Sequence, residues 1–520
     1  MIYALYLENN RFNHAGWAGL GSKITLNILL VNPEYPDTFW SFKHALKFVS
    51  KKAAFPPLGL LTVASMLPSN FKLKLVDMNI TRLTDKDIKW ADLVFVSAMV
   101  VQRESAKIAL KQCNKLGVHT VAGGPLFTTQ YEDFPNVDYL VLNEAEITLP
   151  PFLADLEKGV ARRIYTSGQM ADISSTPLPK WDLVNMKKYS SMSIQYSRGC
   201  PFDCEFCDIV VLNGHVPRTK GKDQIIKELD ALHTAGWRGS VFIVDDNFIG
   251  NKRKLKEEIL PAITEWSRIK RFPFSFFTQA SINLADDDEL INRMVKANFN
   301  MAFIGIESPS ADSLAECGKT QNRSRNMVDS VKKLQHMGIE VQAGFIVGFD
   351  SDSQSIFQEM INFIEKSGIV TAMVGLLHAP AGTRLYKRLK KEDRITGNFG
   401  GNNTDYAMNF IPKMNGGILV EGYKKIVNTI YAPKQYYARV KTFLSEYRPQ
   451  PKSPWKFHRE HISALIKSVW ILGVKEKGRG YFWKLMTWTV FKKPRLFPLS
   501  ITMAIYGFHF RKIAHGAVTG

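Results

Sequence analysis

Cysteine is scarce in this sequence, with five in 520 residues, which excludes a disulfide framework as the basis of the fold. The opening "MIYALYLENNRFNHAG" has an acidic Glu8 and no apolar core followed by a small-residue cleavage site. No secretory signal is read there, and the expected setting is a reducing cytoplasm. Long hydrophobic runs are missing too: none reaches the roughly 20 residues that a membrane span requires. Acids are outnumbered, 48 Asp and Glu against 68 Lys and Arg, for a formal charge of +20. The turn after the first predicted strand, "NPEYPDTFW", contains no glycine, which excludes a dinucleotide fingerprint or a P-loop at that place. What is left is a globular chain, 45% hydrophobic and 22% charged, long enough for two or three domains.

Two alternations of strand and helix follow an N-terminal extension over 1–22. In the first, over 23–160, the sequence predicts buried strands at "ITLNILLVNP", "LKLVDMN", "LVFVSAM", "HTVAGGP" and "VDYLVLN". Helices lie between them, among them "PPLGLLTVASML", which opens on proline, and a stretch from Gln102 to Leu116 with apolar residues at helical spacing. This predicts a doubly wound, Rossmann-like α/β domain whose ligand sits at the strand carboxyl ends, among 33–40, 97–99, 123–125 and 143–146. A linker over 161–188 contains "SSTPLPKWD". Strands then follow at "SMSIQYS", "GSVFIVDD", "FSFFTQA", "NMAFIGIE", "EVQAGFIVG" and "VTAMVGLLHA", with helices around 222–235, 251–269, 287–297, 325–337 and 353–366. Six βα units over 189–390 predict a partial or full barrel of TIM type, with its chemistry at the strand carboxyl ends.

Three of the five cysteines, Cys200, Cys204 and Cys207, stand in "YSRGCPFDCEFCDIV", just after the first strand of that barrel. The spacing CxxxCxxC supplies three thiolates, enough to hold three irons of a [4Fe-4S] cluster and leave the fourth open. A closed electron-transfer cluster would take a fourth cysteine, and Cys113 and Cys317 fall in other elements. Structural zinc would need four ligands, with His215 the one nearby supplement.

With this motif, and with the aromatic Phe206 before its last cysteine, the chain resembles the radical SAM enzymes. The resemblance implies that S-adenosylmethionine (SAM) chelates the open iron. It also implies contacts at other strand ends. Asp245, Asp246 and Asn247 end the second strand, where the family usually has a glycine-rich turn with an acid that holds the SAM amino group. Gln279 and Glu307 end the third and fourth, towards ribose and methionine, and Gly344 and Gly348 bracket the fifth, near adenine. The N-terminal domain resembles the cobalamin-binding domain fused to one large branch of that family. Ser97 to Met99, and Gly123 with Gly124, stand where that domain has its SxL-type and GG turns, and glycine there lets the backbone approach the nucleotide tail. The DxHxxG element that supplies a cobalt-binding histidine is missing, and His44 reads as a structural residue. A lower axial histidine from this loop is therefore not expected.

The charge concentrates at the end of the chain. After Gln450 there are thirteen Lys and Arg against Glu460 and Glu476, interleaved with aromatics from Trp455 to Phe510. Such a surface suits an anionic membrane or a nucleic acid. The bulk of "FWKLMTWTVF" and "LFPLSITMAIYGFHF" favours the membrane and makes nucleic acid the weaker partner, while a packing domain whose aromatics are core competes with both. Residues 391–450 and the tail 451–520 are expected to be mostly helical and to correspond to the C-terminal domain found on some cobalamin-dependent radical SAM proteins. In "NNTDYAMNFIPKM", Asn402, Asn403, Thr404 and Asp405 either line the barrel mouth or form a plain turn.

Within the branch that the chain resembles, enzymes methylate unactivated carbons, phosphorus centres or lipids such as hopanoids, and a minority close rings. The expectation is a methyltransferase acting on an unactivated carbon of a lipid-like substrate through a 5′-deoxyadenosyl radical and methylcobalamin. Its electrons would come from a donor such as flavodoxin or ferredoxin, in the cytoplasm or on the inner face of the membrane. A cyclase or rearrangement enzyme with the same cofactors is the second expectation, and a nucleic-acid-binding iron-sulfur protein the third.

Overall fold

The computed structural model describes residues 25–402, 404–450 and 459–518, so the N-terminal extension and the start of the basic tail, including Lys452, Trp455 and Lys456, lie outside the described residues. The chain forms two compact units. One runs to Pro36 and resumes over Pro57–Asn185; the other joins Asp37–Pro56 to everything from Met186 onward.

The first unit is built on six parallel strands: β1 (Asn27–Asn32), β2 (Lys72–Asp77), β3 (Leu93–Ser97), β4 (His119–Gly123), β5 (Tyr139–Val141) and β6 (Ile164–Tyr165), in the order β2-β1-β3-β4-β5-β6. Runs of Ile, Leu and Val become central strands because helices cover both faces of a parallel sheet. Ile28, Leu29, Leu30 and Val31 are all fully buried. The helices α1 (Leu58–Met66), α2 (Arg103–Lys115) and α3 (Ala145–Glu157) contribute to the two cores, one around Val94, Ala106 and Phe127, the other around Leu30, Leu60 and Phe152. Strand β6 falls in the stretch that the sequence reads as a linker. That stretch packs back onto its own unit: Lys180 N–H donates to Leu61 O at 3.1 Å, Ser65 Oγ donates to Leu178 O at 2.6 Å, and Ile173 and Trp181 are buried. The strand order reverses between β1 and β3, which makes their carboxyl ends the switch point where doubly wound sheets bind ligands.

The second unit holds β7 (Met192–Ile194), β8 (Gly239–Ile243), β9 (Phe274–Ala280), β10 (Phe299–Glu307), β11 (Glu340–Val347) and β12 (Ala372–Leu376), each parallel to the next in chain order. Helices α4 (Lys222–Thr234), α5 (Leu260–Ile269), α6 (Asp288–Lys296), α7 (Met327–His336) and α8 (Ile356–Ser367) connect them, giving the (β/α)6 partial barrel. The strands alternate as a sheet must. On β9, Phe274 is buried 5.3 Å from Trp266 of α5, and on β11, Phe345 lies 5.9 Å from Phe363 of α8, so these positions face the helices. The alternate positions on β9, Ser275, Phe277 and Gln279, are half-buried and face the concave side.

An open six-stranded sheet leaves two edges with unpaired backbone groups. At β7, Ala53 forms a parallel bridge with Tyr189, and the N–H groups of Ser190 and Ser191 donate to Ala53 O and Ala54 O. At β12, Tyr431 OH donates to Ala372 O at 2.6 Å. The strap Asp37–Pro56 reaches both sides, since Trp40 Nε1 also donates to Met373 Sδ of β12 at 3.0 Å. This corrects the expectation that residues 37–40 serve the end of β1. They leave that sheet because their aromatics find partners elsewhere: Phe39 is buried and stacks on Phe510 at 4.2 Å.

After β12 come α9 (Arg384–Lys391), α10 (Gly416–Tyr431), α11 (Pro433–Glu446), α12 (Arg459–Trp470), α13 (Arg479–Lys492) and α14 (Phe497–Val518). Helix α14 is interior: Met503, Ala504, Ile505 and Phe510 are buried, and His509 Nε2 sits 3.0 Å from Phe39 O. The run "LFPLSITMAIYGFHF" is therefore core, and the membrane expectation fails for it. No helix among the described residues is long and apolar enough to cross a membrane. Asn402 Oδ1 accepts from both the N–H and the hydroxyl of Thr404, a plain turn; Asn403 lies outside the described residues.

Candidate functional site

The cysteine loop leaves the carboxyl end of β7 and is held by the end of β8. Gly199 has φ +97°, and a Cβ there would lie 2.9 Å from the carbonyl oxygens of Gly214 and Val216, so glycine lets the loop close on that segment. Cys200 N–H donates to Gly214 O at 3.2 Å and Cys207 N–H to Cys204 O at 3.1 Å. Cys204 is buried; Cys200 and Cys207 are half-buried. Asp245, fully buried, accepts from Tyr196 N–H at 2.8 Å and from Ser197 Oγ at 2.6 Å. Asp246 accepts from Gly199 N–H at 3.1 Å and Asn213 Nδ2 at 2.9 Å. Burial pushes the Asp245 carboxyl up to about 7 in spite of these bonds. The two carboxyl groups are thus engaged with the loop itself. Asn247 Nδ2 stands 3.9 Å from Cys200 Sγ and 3.3 Å from Ser281 Oγ. Beside these residues opens a groove of about 510 Å³ lined by Pro201, Phe202, Pro217, Asn247, Ser281 and Asn283 among others.

Glu307 ends β10 at a register shift, in a left-handed conformation with φ +65°. Its Oε1 accepts from Lys319 Nζ at 2.7 Å, and both side chains are about nine-tenths buried. Burial pushes the thiols of Cys200, Cys204 and Cys207 up, and the Lys319 ammonium pulls all three down. Glu307 and the nearby thiols keep Lys319 charged against its own burial. A buried cation facing three thiols favours the thiolate that iron binds. Arg388 of α9 clamps the loop from outside, donating through Nε and Nη2 to Glu205 at 2.8 and 3.1 Å and through Nη1 to Asp350 at 2.9 Å. Although burial works against it, Arg394 and Arg388 hold Asp350 down at about 2. Phe206 packs edge-on to Phe349 at 6.2 Å, in the apolar cluster that also buries Cys317.

Gln279, next to last in β9, is half-buried, and its side chain has no hydrogen-bond partner among the described residues. The side of Gly344 where a Cβ would project is filled by the Phe303 ring, 3.0 Å away, and Gly348 takes φ +107° just past β11. His378, two residues beyond β12, has both ring nitrogens shut off from solvent and unpartnered among the described residues. Burial pushes its imidazole down to about 4, so it is neutral at physiological pH. An unpaired buried polar group costs about 1–3 kcal/mol, a cost removed when a ligand supplies the partner. Neither Lys319, Arg388 nor His378 carries a sequence signal: each lies far along the chain from the cysteines and belongs to no local motif.

No three His, Cys, Asp or Glu side chains among the described residues converge on a single metal ion. A cubane differs, since each of its thiolates takes a separate iron. Three thiols in one closed loop with a buried cation beside them fit that group.

In the first unit, Ser97 and Gly123 are register partners at the carboxyl ends of β3 and β4. Gly124 has φ +90°, and a Cβ there would meet Ser97 Oγ at 2.9 Å; at Gly123 it would meet Val141 O at 2.7 Å. The turns are closed by Ala98 N–H donating to Gly123 O and Leu126 N–H to Ala98 O. Next to them, buried Gln102 accepts from Met99 N–H at 2.8 Å and donates to Asn32 Oδ1 at 3.2 Å. The glycines let these turns close on each other, and bare backbone at two strand carboxyl ends beside the switch point fits the nucleotide tail of cobalamin. The histidine described in this unit, His119, lies at the opposite end of β4, 2.9 Å from Asp138. His44 belongs to the second unit, 3.6 Å from Asp37.

Comparison with known proteins identifies the domains that carry these residues. The B12 binding domain matches residues 49–153, the Radical SAM superfamily residues 194–364, and a domain of unknown function (DUF4070) residues 383–520. An uncharacterized methyltransferase of Synechocystis sp. (strain ATCC 27184 / PCC 6803 / Kazusa) is 40% identical over 93% of this chain and 91% of its own length. The hopanoid C-2 methylase of Rhodopseudomonas palustris (strain TIE-1) is 33% identical over 88% of each. The fold is similar to that of OxsB, a cobalamin-dependent S-adenosylmethionine radical enzyme, with a TM-score of 0.60 at 16% identity over 95% of this chain and 80% of that one. It is also similar to the methyltransferase TsrM of Kitasatospora setae, with a TM-score of 0.54 at 13% identity over 71% and 78%. With relatives of this identity spanning nearly its whole length, the chain belongs to the cobalamin-dependent radical SAM methyltransferase family, enzymes whose cofactors are a [4Fe-4S] cluster, S-adenosylmethionine and cobalamin.

Proposed function

We propose that the protein methylates an unactivated carbon of a hydrophobic, lipid-like small molecule. The observation that carries this reading is the concave side of the barrel, which is half-exposed and aromatic. Phe242 and Phe277 stack there at 4.8 Å and 4°, with Phe55 of the strap 5.3 Å from Phe242. Trp40 stands edge-on to Phe303 at 5.2 Å and donates to Met373 Sδ. Apolar walls of this kind hold hydrocarbon, and burial is worth about 25 cal/mol per Å² of apolar surface. When bound, the cofactors supply the hydrogen-atom abstraction and the methyl group, the steps that side-chain acids and bases cannot perform on an alkyl C–H bond.

The chain's residues take the other tasks. Cys200, Cys204 and Cys207 would hold the cluster, with Phe206, next to the last of them in the chain, packed on Phe349 and with Lys319 offsetting their charge. Asp245 and Asp246 fix the loop, Asn247 and Gln279 offer polar contacts to SAM, Glu307 orients Lys319, and Gly344 leaves room for the ring beside it. His378 offers one donor and one acceptor to a bound molecule. Ser97, Gly123 and Gly124 admit the cobalamin tail. A small electron-transfer protein such as flavodoxin or ferredoxin reduces the cluster, and a substrate of this class brings the enzyme to a lipid surface.

The test is turnover with methyl-labelled SAM and detergent-dispersed lipids. Expected are 5′-deoxyadenosine and S-adenosylhomocysteine in equal amounts, with label in the lipid. 5′-Deoxyadenosine without S-adenosylhomocysteine would select ring closure or rearrangement instead.

A further inference from the structure

The C-terminal helices bury one of the two apolar runs of the tail and leave other large apolar side chains in water. On α12, Ile462, Ile466 and Trp470 are 50%, 63% and 55% exposed, and Val474 in the following turn is 47% exposed. Their spacing of four puts them on one face of the helix. At the start of α13, Tyr481 and Trp483 are also exposed, while Phe482, Leu485 and Met486 turn inward. Trp483 joins the α12 stripe directly, because its Nε1 donates to Gly473 O at 2.9 Å. The two helix ends thus form one tip carrying two tryptophans, a tyrosine and a valine.

The same tip is cationic. Lys475 lies over the Trp470 ring at 5.1 Å and Lys484 over Tyr481 at 5.9 Å, with Lys477 and Arg479 exposed between them. The one acid in that stretch, Glu476, lies 3.9 Å from buried Arg511, which answers its charge from behind. Exposed Trp and Tyr ringed by Lys and Arg match the headgroup level of a bilayer, where aromatic rings sit at the boundary and each cation gains from anionic lipid. Scattered apolar residues on a monomer carry no message, but a contiguous aromatic patch rimmed with charge of one sign does.

We propose that the tip formed by Trp470, Val474, Tyr481 and Trp483 with Lys475, Lys477, Arg479 and Lys484 docks on an anionic lipid surface. The proposal rests on the lipid-like substrate read above and names the face that meets it. Docking is shallow and reversible, since the buried α12 and α13 positions hold the helices to the protein and only the tip enters the headgroup layer.

The experiment is flotation of the full chain with phosphatidylglycerol–phosphatidylcholine vesicles and with pure phosphatidylcholine vesicles. Binding is expected on the anionic vesicles. It should be released when salt rises from about 0.1 M to about 1 M, which shortens the screening length from about 10 Å to about 3 Å. Replacing Lys475, Lys477 and Lys484 together by Ala should weaken partitioning about 100-fold. The pair W470A and W483A should abolish flotation, with iron content and SAM cleavage unchanged. A variant that floats like the unaltered chain overturns the assignment of this face. So does an unaltered chain that ignores vesicles or instead binds RNA with a steep salt slope. Methyl transfer to detergent-dispersed lipid is read separately, so a wrong docking face and a wrong substrate class give different results.

Discussion

The two parallel sheets finish their strand carboxyl ends in opposite materials. Around Ser97, Gly123 and Gly124 the first unit uses bare backbone: turns so close that a Cβ would meet Ser97 Oγ or Val141 O. Around Cys200, Cys204 and Cys207 the second unit uses buried charge: Asp245 and Asp246 on the loop's N–H and hydroxyl groups, and the Lys319–Glu307 pair beside the thiols. A nucleotide tail with its phosphodiester needs close approach and backbone hydrogen bonds, whereas an anionic iron-sulfur cluster in a low-dielectric site needs a compensating cation, the part Lys319 can play. Damage at the two sites should therefore differ in kind, affinity in one and cluster content and stability in the other.

The largest effect is expected at the thiols. Replacing any of Cys200, Cys204 or Cys207 by Ala should take anaerobically prepared protein from about four irons per chain to nearly none, while Cys113→Ala and Cys317→Ala keep them. Iron that survives Cys204→Ala would end the three-thiolate assignment. Next comes the charge beside them. Lys319→Met leaves Glu307 buried without its partner and should destabilise the fold by about 3–5 kcal/mol, read by denaturant unfolding. A loss under about 1 kcal/mol would mean that water already reaches the pair.

At the backbone-lined site the effect is smaller and local. Gly124→Ala forces a side chain into a glycine conformation at about 1–3 kcal/mol, so cobalamin binding to the cluster-loaded protein should weaken about 10- to 100-fold with iron unchanged. Unchanged cobalamin affinity would break the contrast between the sites. The smallest effect is expected at His119 and Asp138, on the far end of β4. The hydrogen bond that His119 Nδ1 donates to Asp138 raises the imidazole, and although burial works against it, His119 and Thr120 hold the Asp138 carboxyl low. A raised histidine stabilises fully below its unfolded value near 6.5 and loses that contribution as pH climbs through the raised value. The depressed aspartate contributes above about 4 and is lost in acid. With both side chains about 30% exposed, the gain is under about 1 kcal/mol. His119→Gln should lower the unfolding midpoint at pH 5.5 and leave it nearly unchanged at pH 8.5; equal losses at both would show that the pair is held by packing alone.

Much of this was local and so legible from the residues in order. Buried strands announce themselves as runs such as "LVFVS" and "NILLVN", and helices by spacing, so both sheets follow from the sequence. The loop that gathers Cys200, Cys204 and Cys207 is eight residues long and needs no tertiary information. Strand β6 was not legible, because two residues of ordinary composition pair only when β5 is beside them. Nor were Lys319 and Arg388, which meet the cysteine loop across more than a hundred residues of chain through contacts that leave no local pattern, nor the buried, unpartnered His378 just past β12.

The sequence by itself determined the alternation of elements, the three-thiol loop and the glycines of the other cradle, because each depends on neighbours in the chain. Tertiary structure alone decided which apolar surface is spent inside. Hydropathy makes "LFPLSITMAIYGFHF" and the stretch around Trp470 look alike, yet Phe510 stacks on Phe39 of the strap while Trp470 stays in water. The physical reason is that burial is a property of partners: the strap left the first sheet to close the barrel, and its aromatics claimed α14 and left the tip uncovered.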